Sequence, residues 1–110
     1  MSAKPVIPRE RANLDIDEAL HHYVTQANEK IAFGFIDALE RAFYHIAHHP
    51  AAGAPRYAHE LNLPGLCFHP LKRYPYFVFY KEYDDHIDVW RILHANRDIP
   101  AWMAEPKETS

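Results

Sequence analysis

The side chains of this chain best suited by type and spacing to chemistry are a histidine cluster, one cysteine and two arginines set beside apolar residues. His45, His48 and His49 stand at i, i+3 and i+4, which puts two imidazoles on one turn of helix and within reach of one zinc ion. No cysteine or carboxylate nearby completes a coordination shell. The same three residues close a predicted helix, where a positive charge meets the negative end of the helix dipole. That second reading is preferred, and His21 and His22 are read in the same way, so no metal is expected. Cys67 is the only cysteine. It has no histidine in a recognisable nucleophile arrangement and reads as a buried small hydrophobe. Arg91 shares a strand face with Ile87, Val89 and Leu93, and unpaired burial of a guanidinium is too costly. Its partner is either a local carboxylate, with Asp98 the candidate, or a carboxylate brought by another protein. Arg97 and Asp98 are read as pinning the last loop, ahead of contact with a target. Trp90 and Trp102 fit either a small core or an interface, where tryptophan is enriched.

The elements that must position these residues follow from periodicity. Lys4 to Ile7 is short and reads as an edge strand, and Pro8 suits a first helical position. Ala12, Ile16, Ala19, Leu20, Tyr23, Val24 and Ala27 recur on one helical face. Asn28 is suited to cap a second helix, whose apolar face is Ile31, Phe35, Leu39, Phe43, Ile46 and Ala47, with Asp37, Glu40 and Arg41 off it. Pro50 ends it. Two such helices with almost no linker predict an antiparallel hairpin. Residues 51–65, rich in Ala, Gly and Pro, read as a loop. Three strands follow: Leu66 to Leu71, then Tyr76 to Tyr80 as a central strand buried on both faces, then His86 to Leu93 after a turn at Asp84-Asp85. The last strand alternates, with Ile87, Val89, Arg91 and Leu93 on one face and Asp88, Trp90, Ile92 and His94 on the other. Pro100 opens a short final helix carrying Trp102 and Met103, and residues 105–110 read as a frayed tail. The expected fold is α+β: a strand, a helical hairpin, a three-stranded antiparallel sheet and a short C-terminal helix, with the hairpin covering one sheet face.

Length and composition narrow the function. At 110 residues the chain is one domain with a core over about 4–103, and 48% hydrophobic residues suffice to build it. The longest apolar run, Tyr74 to Tyr80, is far below the roughly 20 residues of a membrane span. Met1 to Arg11 lacks the apolar segment of a signal peptide. A lone cysteine forbids an internal disulfide and fits a reducing cytoplasm. Twelve Lys and Arg against fifteen Asp and Glu give a net charge of −3, whereas proteins that grip phosphates usually carry a basic surplus. Between Arg56 and Arg97, six basic residues face five acidic ones. A local basic patch is compatible with that half; a general RNA-binding surface is not.

Three stretches carry a family resemblance: Leu63-Pro64-Gly65-Leu66, Tyr74-Pro75-Tyr76-Phe77-Val78-Phe79-Tyr80, and Arg91-Ile92-Leu93-His94-Ala95-Asn96-Arg97-Asp98-Ile99-Pro100. Together with the Ala38 to Phe43 run in the second helix, they resemble the signature of ParE toxins in the ParE/RelE toxin–antitoxin superfamily, over roughly residues 4–103. The closing motif is the specific part. The resemblance implies a ParD-like antitoxin partner, whose C-terminal segment wraps around the toxin, and DNA gyrase, through its A subunit, as target. It implies no cofactor, and no nucleic-acid contact except through the antitoxin complex.

The sister RelE branch cuts messenger RNA on the ribosome, which takes cationic side chains to stabilise a developing phosphorane and a group to move a proton. Aligned on the strand pattern, that branch's lysine positions fall here at Phe68 and Pro70, its middle-strand arginine at Phe77 and its tyrosine at Met103. Only Arg97 keeps its type. One arginine cannot do that work, so no catalytic residue is expected. The residues expected to contact partners are Arg91, Arg97, Trp90, Trp102 and the aromatics Tyr74, Tyr76 and Tyr80, taken to be exposed. The alternatives are a RelE-like ribonuclease or an inactive relative kept for antitoxin binding.

Overall fold

A computed structural model of the chain describes residues 3–103; residues 105–110, read above as a tail, lie outside the described residues. The elements are β1 (Val6–Pro8), α1 (Glu10–Gln26), α2 (Glu29–His48), a 3-10 turn (Pro50–Ala52), α3 (Arg56–Glu60), β2 (Leu66–Pro70), β3 (Tyr76–Glu82), β4 (Ile87–His94) and α4 (Ile99–Met103). Pro8 therefore ends an edge strand, where its missing N–H is harmless, and Arg9 precedes the helix. Asn28 caps α2 as its side chain predicts: its Oδ1 accepts from Ile31 N at 2.9 Å. The stretch read as a loop holds two short helical segments, the 3-10 turn and α3.

The four strands lie in the order β1-β4-β3-β2. β2, β3 and β4 pair antiparallel, while β1 joins β4 in parallel, so the sheet is mixed and has one strand more than the antiparallel three. The helical hairpin covers one face. Small residues on the helices (Ala12, Ala19, Ala38, Ala42) let Phe35, Leu39 and Ile46 close onto Val78, Tyr80, Ile87, Val89 and Ile92 of the sheet. Fully burying a side chain of the Phe35 or Ile46 kind contributes about 1.5–3 kcal/mol. The apolar helix faces run slightly differently from the simple periodicity. Val24 and Ile31, assigned inward, are 49% and 38% exposed at the hairpin tip, and Asp15 is buried on the inner face of α1.

A bulge interrupts β4. Phe79 pairs with Arg91 and Tyr80 with Val89, which leaves Trp90 without an opposite residue. An extra residue reverses which face later side chains take. Ile87 and Val89 belong to the helix-side core, but beyond the bulge Ile92 joins them while Leu93 packs in the second cluster, with Phe68, Phe79 and Ile99. The regular alternation expected for this strand is corrected by this one residue.

Candidate protein-binding site

β1 pairs with β4 only as far as Val89, so beyond it the edge of β4 needs another acceptor. Asp15 of α1 supplies it. Its Oδ2 accepts from Ile92 N at 2.9 Å and from Arg91 Nε at 2.8 Å, and its Oδ1 accepts from Arg91 Nη2 at 2.9 Å. Both side chains are nearly solvent-free, at 9% and 8% exposure. The Arg91 guanidinium also donates to Trp102 O at 3.2 Å. Arg91 is thus paired across 76 residues of sequence to Asp15, and the expected local partner, Asp98, is corrected. Asp98 instead starts α4, accepting from Ala101 N through Oδ1 and from Trp102 N through its carbonyl. The buried guanidinium thus donates three hydrogen bonds within the chain, two to Asp15 and one to Trp102 O.

Next to this lock lies a cavity of about 230 Å³ bounded by Glu18, His22, Tyr76, His94, Arg97 and Trp102. The exposed Arg97 lays its guanidinium over the Trp102 ring, 4.1 Å from the centroid, and Arg91 approaches the same ring at 5.9 Å. A cation held over an indole face in partly dry surroundings is a stable, pre-oriented pair. His94 receives the Asn96 N–H on Nδ1 at 3.0 Å and packs edge-on against Tyr76. Burial, then the nearby Arg97 and His22, push the His94 pKa below the ordinary histidine value. Burial likewise raises the Tyr76 hydroxyl.

The sheet face opposite the hairpin is aromatic. Phe68 stacks against Phe77 at 4.6 Å and near Phe79 at 5.7 Å, with Tyr57, Trp90, Trp102 and Met103 packed around this cluster. Phe68, Phe77 and Met103 are the positions aligned above with the cationic and phenolic groups of the ribonuclease branch, and they are apolar here. Two arginines, not a cluster, meet at Trp102, and the charge of one is balanced by Asp15.

The seven residues singled out from sequence therefore divide. Arg97, Trp102 and Tyr76 line one cavity; Arg91 touches it from a buried position. Trp90 stands apart at the bulge, its Nε1 donating to Asp88 and its ring covered by Arg9 at 4.4 Å. Tyr74 is at the far end, half-buried, its hydroxyl donating to Ile31 O at 2.9 Å. Tyr80, expected to be exposed, is 1% exposed and donates to Pro50 O at 2.7 Å; burial pushes its pKa up to about 12. It is a core residue because the helix side of β3 faces α2 and the 3-10 turn. Asp15, Glu18 and Arg9 were not singled out from the sequence, and His22 was read there as an ordinary helix histidine. Only Asp15 carried a readable signal: an acid at the position between Ala12 and Ala19 on an apolar face, matched by an arginine on an apolar strand.

Among the described residues no group of three or more His, Cys, Asp or Glu is arranged to hold a metal. His48 Nδ1 lies 2.9 Å from Tyr44 O, and His45 stacks on His69. No helix among them is long and apolar enough to cross a membrane.

Comparison with known proteins agrees with this geometry. Over residues 6–99 the chain matches the family model described as the ParE toxin of the type II toxin–antitoxin system parDE. A solved structure titled as the chromosomal ParDE toxin–antitoxin system from P. aeruginosa superposes with a TM-score of 0.71, at 19% sequence identity, over 86% of this chain and 98% of that one. No curated protein matches the chain in sequence. With the family model spanning nearly all the described residues and the strand–hairpin–sheet order shared with that structure, this chain belongs to the ParE toxin family of type II toxin–antitoxin systems.

Proposed function

We propose that the chain acts as a toxin by binding other proteins, without chemistry of its own. A ParD-like antitoxin neutralises it by covering the sheet and the helical hairpin. When free, it engages DNA gyrase through the A subunit and traps the enzyme on cleaved DNA. The lip formed by Arg97 and Trp102, with Tyr76 behind it, is the contact surface, and Trp90 with Arg9 forms a second patch.

One observation carries this reading. Where transphosphorylation would gather positive charge, Phe68, Phe77 and Met103 are apolar, the Arg56 guanidinium lies 5.5 Å from the Phe68 ring centre, and Arg91 is paired with Asp15. A developing phosphorane needs preorganised donors around it, whereas an aromatic–arginine lip is the composition of interface hot spots. The test mixes purified toxin with gyrase, ATP and plasmid. Linear DNA is the expected product after protein denaturation, and antitoxin added first suppresses it. Unchanged supercoiling and no linear DNA, from a preparation that stops growth when expressed, would sink the gyrase reading.

A further inference from the structure

A trough with no part in the cavity at Trp102 runs along α2. Two adjoining cavities, of about 280 and 480 Å³, share Ala38, Arg41 and Lys72 in their linings. Gly34, Ala38 and Ala42 follow one another at four-residue steps, so they share one helix face and make a shallow floor. From Gly34 to His45 the trough spans three helical turns, roughly 16 Å. Its walls carry Arg41, Lys72 and Arg73, and at one end the His45 and His69 rings stack 4.9 Å apart. The acid among the lining residues is Asp37, which pairs with Arg41 at 3.1 Å. Three cationic side chains against one carboxylate is a local inversion of a chain whose net charge is −3.

The wall is also held in place. Arg73 has φ of 72°, a left-handed conformation uncommon outside glycine and found where surrounding structure enforces it. The next residue, Tyr74, ties the turn to α2 through its hydroxyl bond to Ile31 O, and Gly34 leaves the room this needs.

From this juxtaposition of a small-residue floor, three cationic side chains and two stacked imidazoles, we propose that the trough is a receptor for an extended acidic segment of a partner protein. The inference rests on the reading that this chain works by binding proteins. Roughly 16 Å takes about five extended residues at 3.3 Å each. A peptide fits better than a nucleic acid. The floor is Gly and Ala, the ring of Tyr74 is packed edge-on against Tyr23 and Phe35, and the His45 and His69 rings stack on each other, so the trough offers no run of open rings on which successive bases could stack. Binding strengthens as pH falls. Facing the trough are Asp37, Arg41 and His45 from α2, His69 from β2, and Lys72 and Arg73 from the turn. His49 stacks behind His45. Burial, then His45, hold the His69 pKa below the ordinary value, and a carboxylate seated beside it favours the charged His69 imidazole.

Fluorescence anisotropy with a fluorescein-labelled hexaglutamate peptide and the full chain tests this at low salt. Binding should tighten by at least about threefold between pH 7.5 and pH 6.0 and weaken about tenfold in a Lys72→Glu, Arg73→Asn variant, as expected for lost charge complementarity. Asparagine tolerates the left-handed backbone; should that variant fail to fold by thermal melt, Arg41→Gln with Lys72→Gln replaces it. No binding at either pH, or equal binding by the charge variants, overturns the proposal, as does equally tight capture of a hexathymidylate. A chain that binds the peptide here and leaves gyrase untouched defeats the gyrase reading alone; one that poisons gyrase and ignores the peptide defeats only this one.

Discussion

At the scale of single residues the fold turns on Asp15. One carboxylate satisfies a buried guanidinium and an otherwise unpaired strand N–H. Asp15→Ala removes the carboxylate from both, leaving Arg91 its bond to Trp102 O, and breaking one side of a buried ion pair typically costs about 3–5 kcal/mol. Urea unfolding should report a loss of that order. Asp15→Leu with Arg91→Met should recover only part of it, because the Ile92 N–H still has no acceptor, at about 1–3 kcal/mol. Full recovery in the double variant would show that the Ile92 bond contributes nothing. Two histidines set the response to acid. His69 and His94 have pKa values held below 6.5, chiefly by burial. The unfolded chain therefore takes up their protons at a higher pH than the folded one, so stability is complete above about 6.5 and declines as pH falls through the folded values. Chemical unfolding at pH 7.5 and 5.5 should show this decline, and His69→Gln with His94→Gln should flatten it; an unchanged slope in that variant would remove both histidines from the account.

At the scale of elements, the contact between α2 and the β2–β3 turn is set by one missing side chain. A Cβ at Gly34 would overlap the Tyr74 hydroxyl, which donates to Ile31 O. Gly34→Ala gains about 1 kcal/mol in helix propensity, yet should destabilise the chain because the hydroxyl is expelled from its acceptor. In a Tyr74→Phe background the obstacle is gone and the same alanine should be neutral or stabilising. Thermal melts of the four proteins in this cycle decide it, and additivity would contradict the contact. Much at this scale was legible beforehand. The helical hairpin, the Asn28 cap and the three antiparallel strands follow from periodicity and capping chemistry. The parallel pairing of Val6–Pro8 with β4 was not, since three residues carry no signal of partner or direction. Neither was the bulge at Trp90, because each face of this strand mixes apolar with polar or charged residues, Arg91 on one and Asp88 and His94 on the other, so strict alternation and an interrupted one read alike. Val24 and Ile31 fit the helical period but sit at the hairpin tip, where they stay partly open to solvent. Of the candidate site, Arg97 was singled out within the closing motif and Trp102 as a large aromatic on the final helix, and the two meet in the structure. The pairing of Arg91 with Asp15 was hidden by the distance in sequence, and Tyr80 was misread because an aromatic strand does not say which rings face inward.

For the whole molecule, the account separates a locked core from an exposed lip. Arg97 and Trp102 touch each other and the rim of the cavity, so Arg97→Ala and Trp102→Ala should leave the far-ultraviolet spectrum native. The loss of partner affinity should be at least about tenfold, the scale of an interface hot spot. Titration of each variant against antitoxin and against gyrase shows which partner uses the lip; undiminished affinity for both would remove it from the binding surface. The central claim is that this chain acts through contact with proteins and cuts no RNA. It is tested most directly by mapping messenger RNA 5′ ends on translating ribosomes incubated with a preparation that arrests growth when expressed. The account predicts the same ends as in a mock incubation, whereas new, toxin-dependent ends that vanish with Arg97→Ala would contradict it.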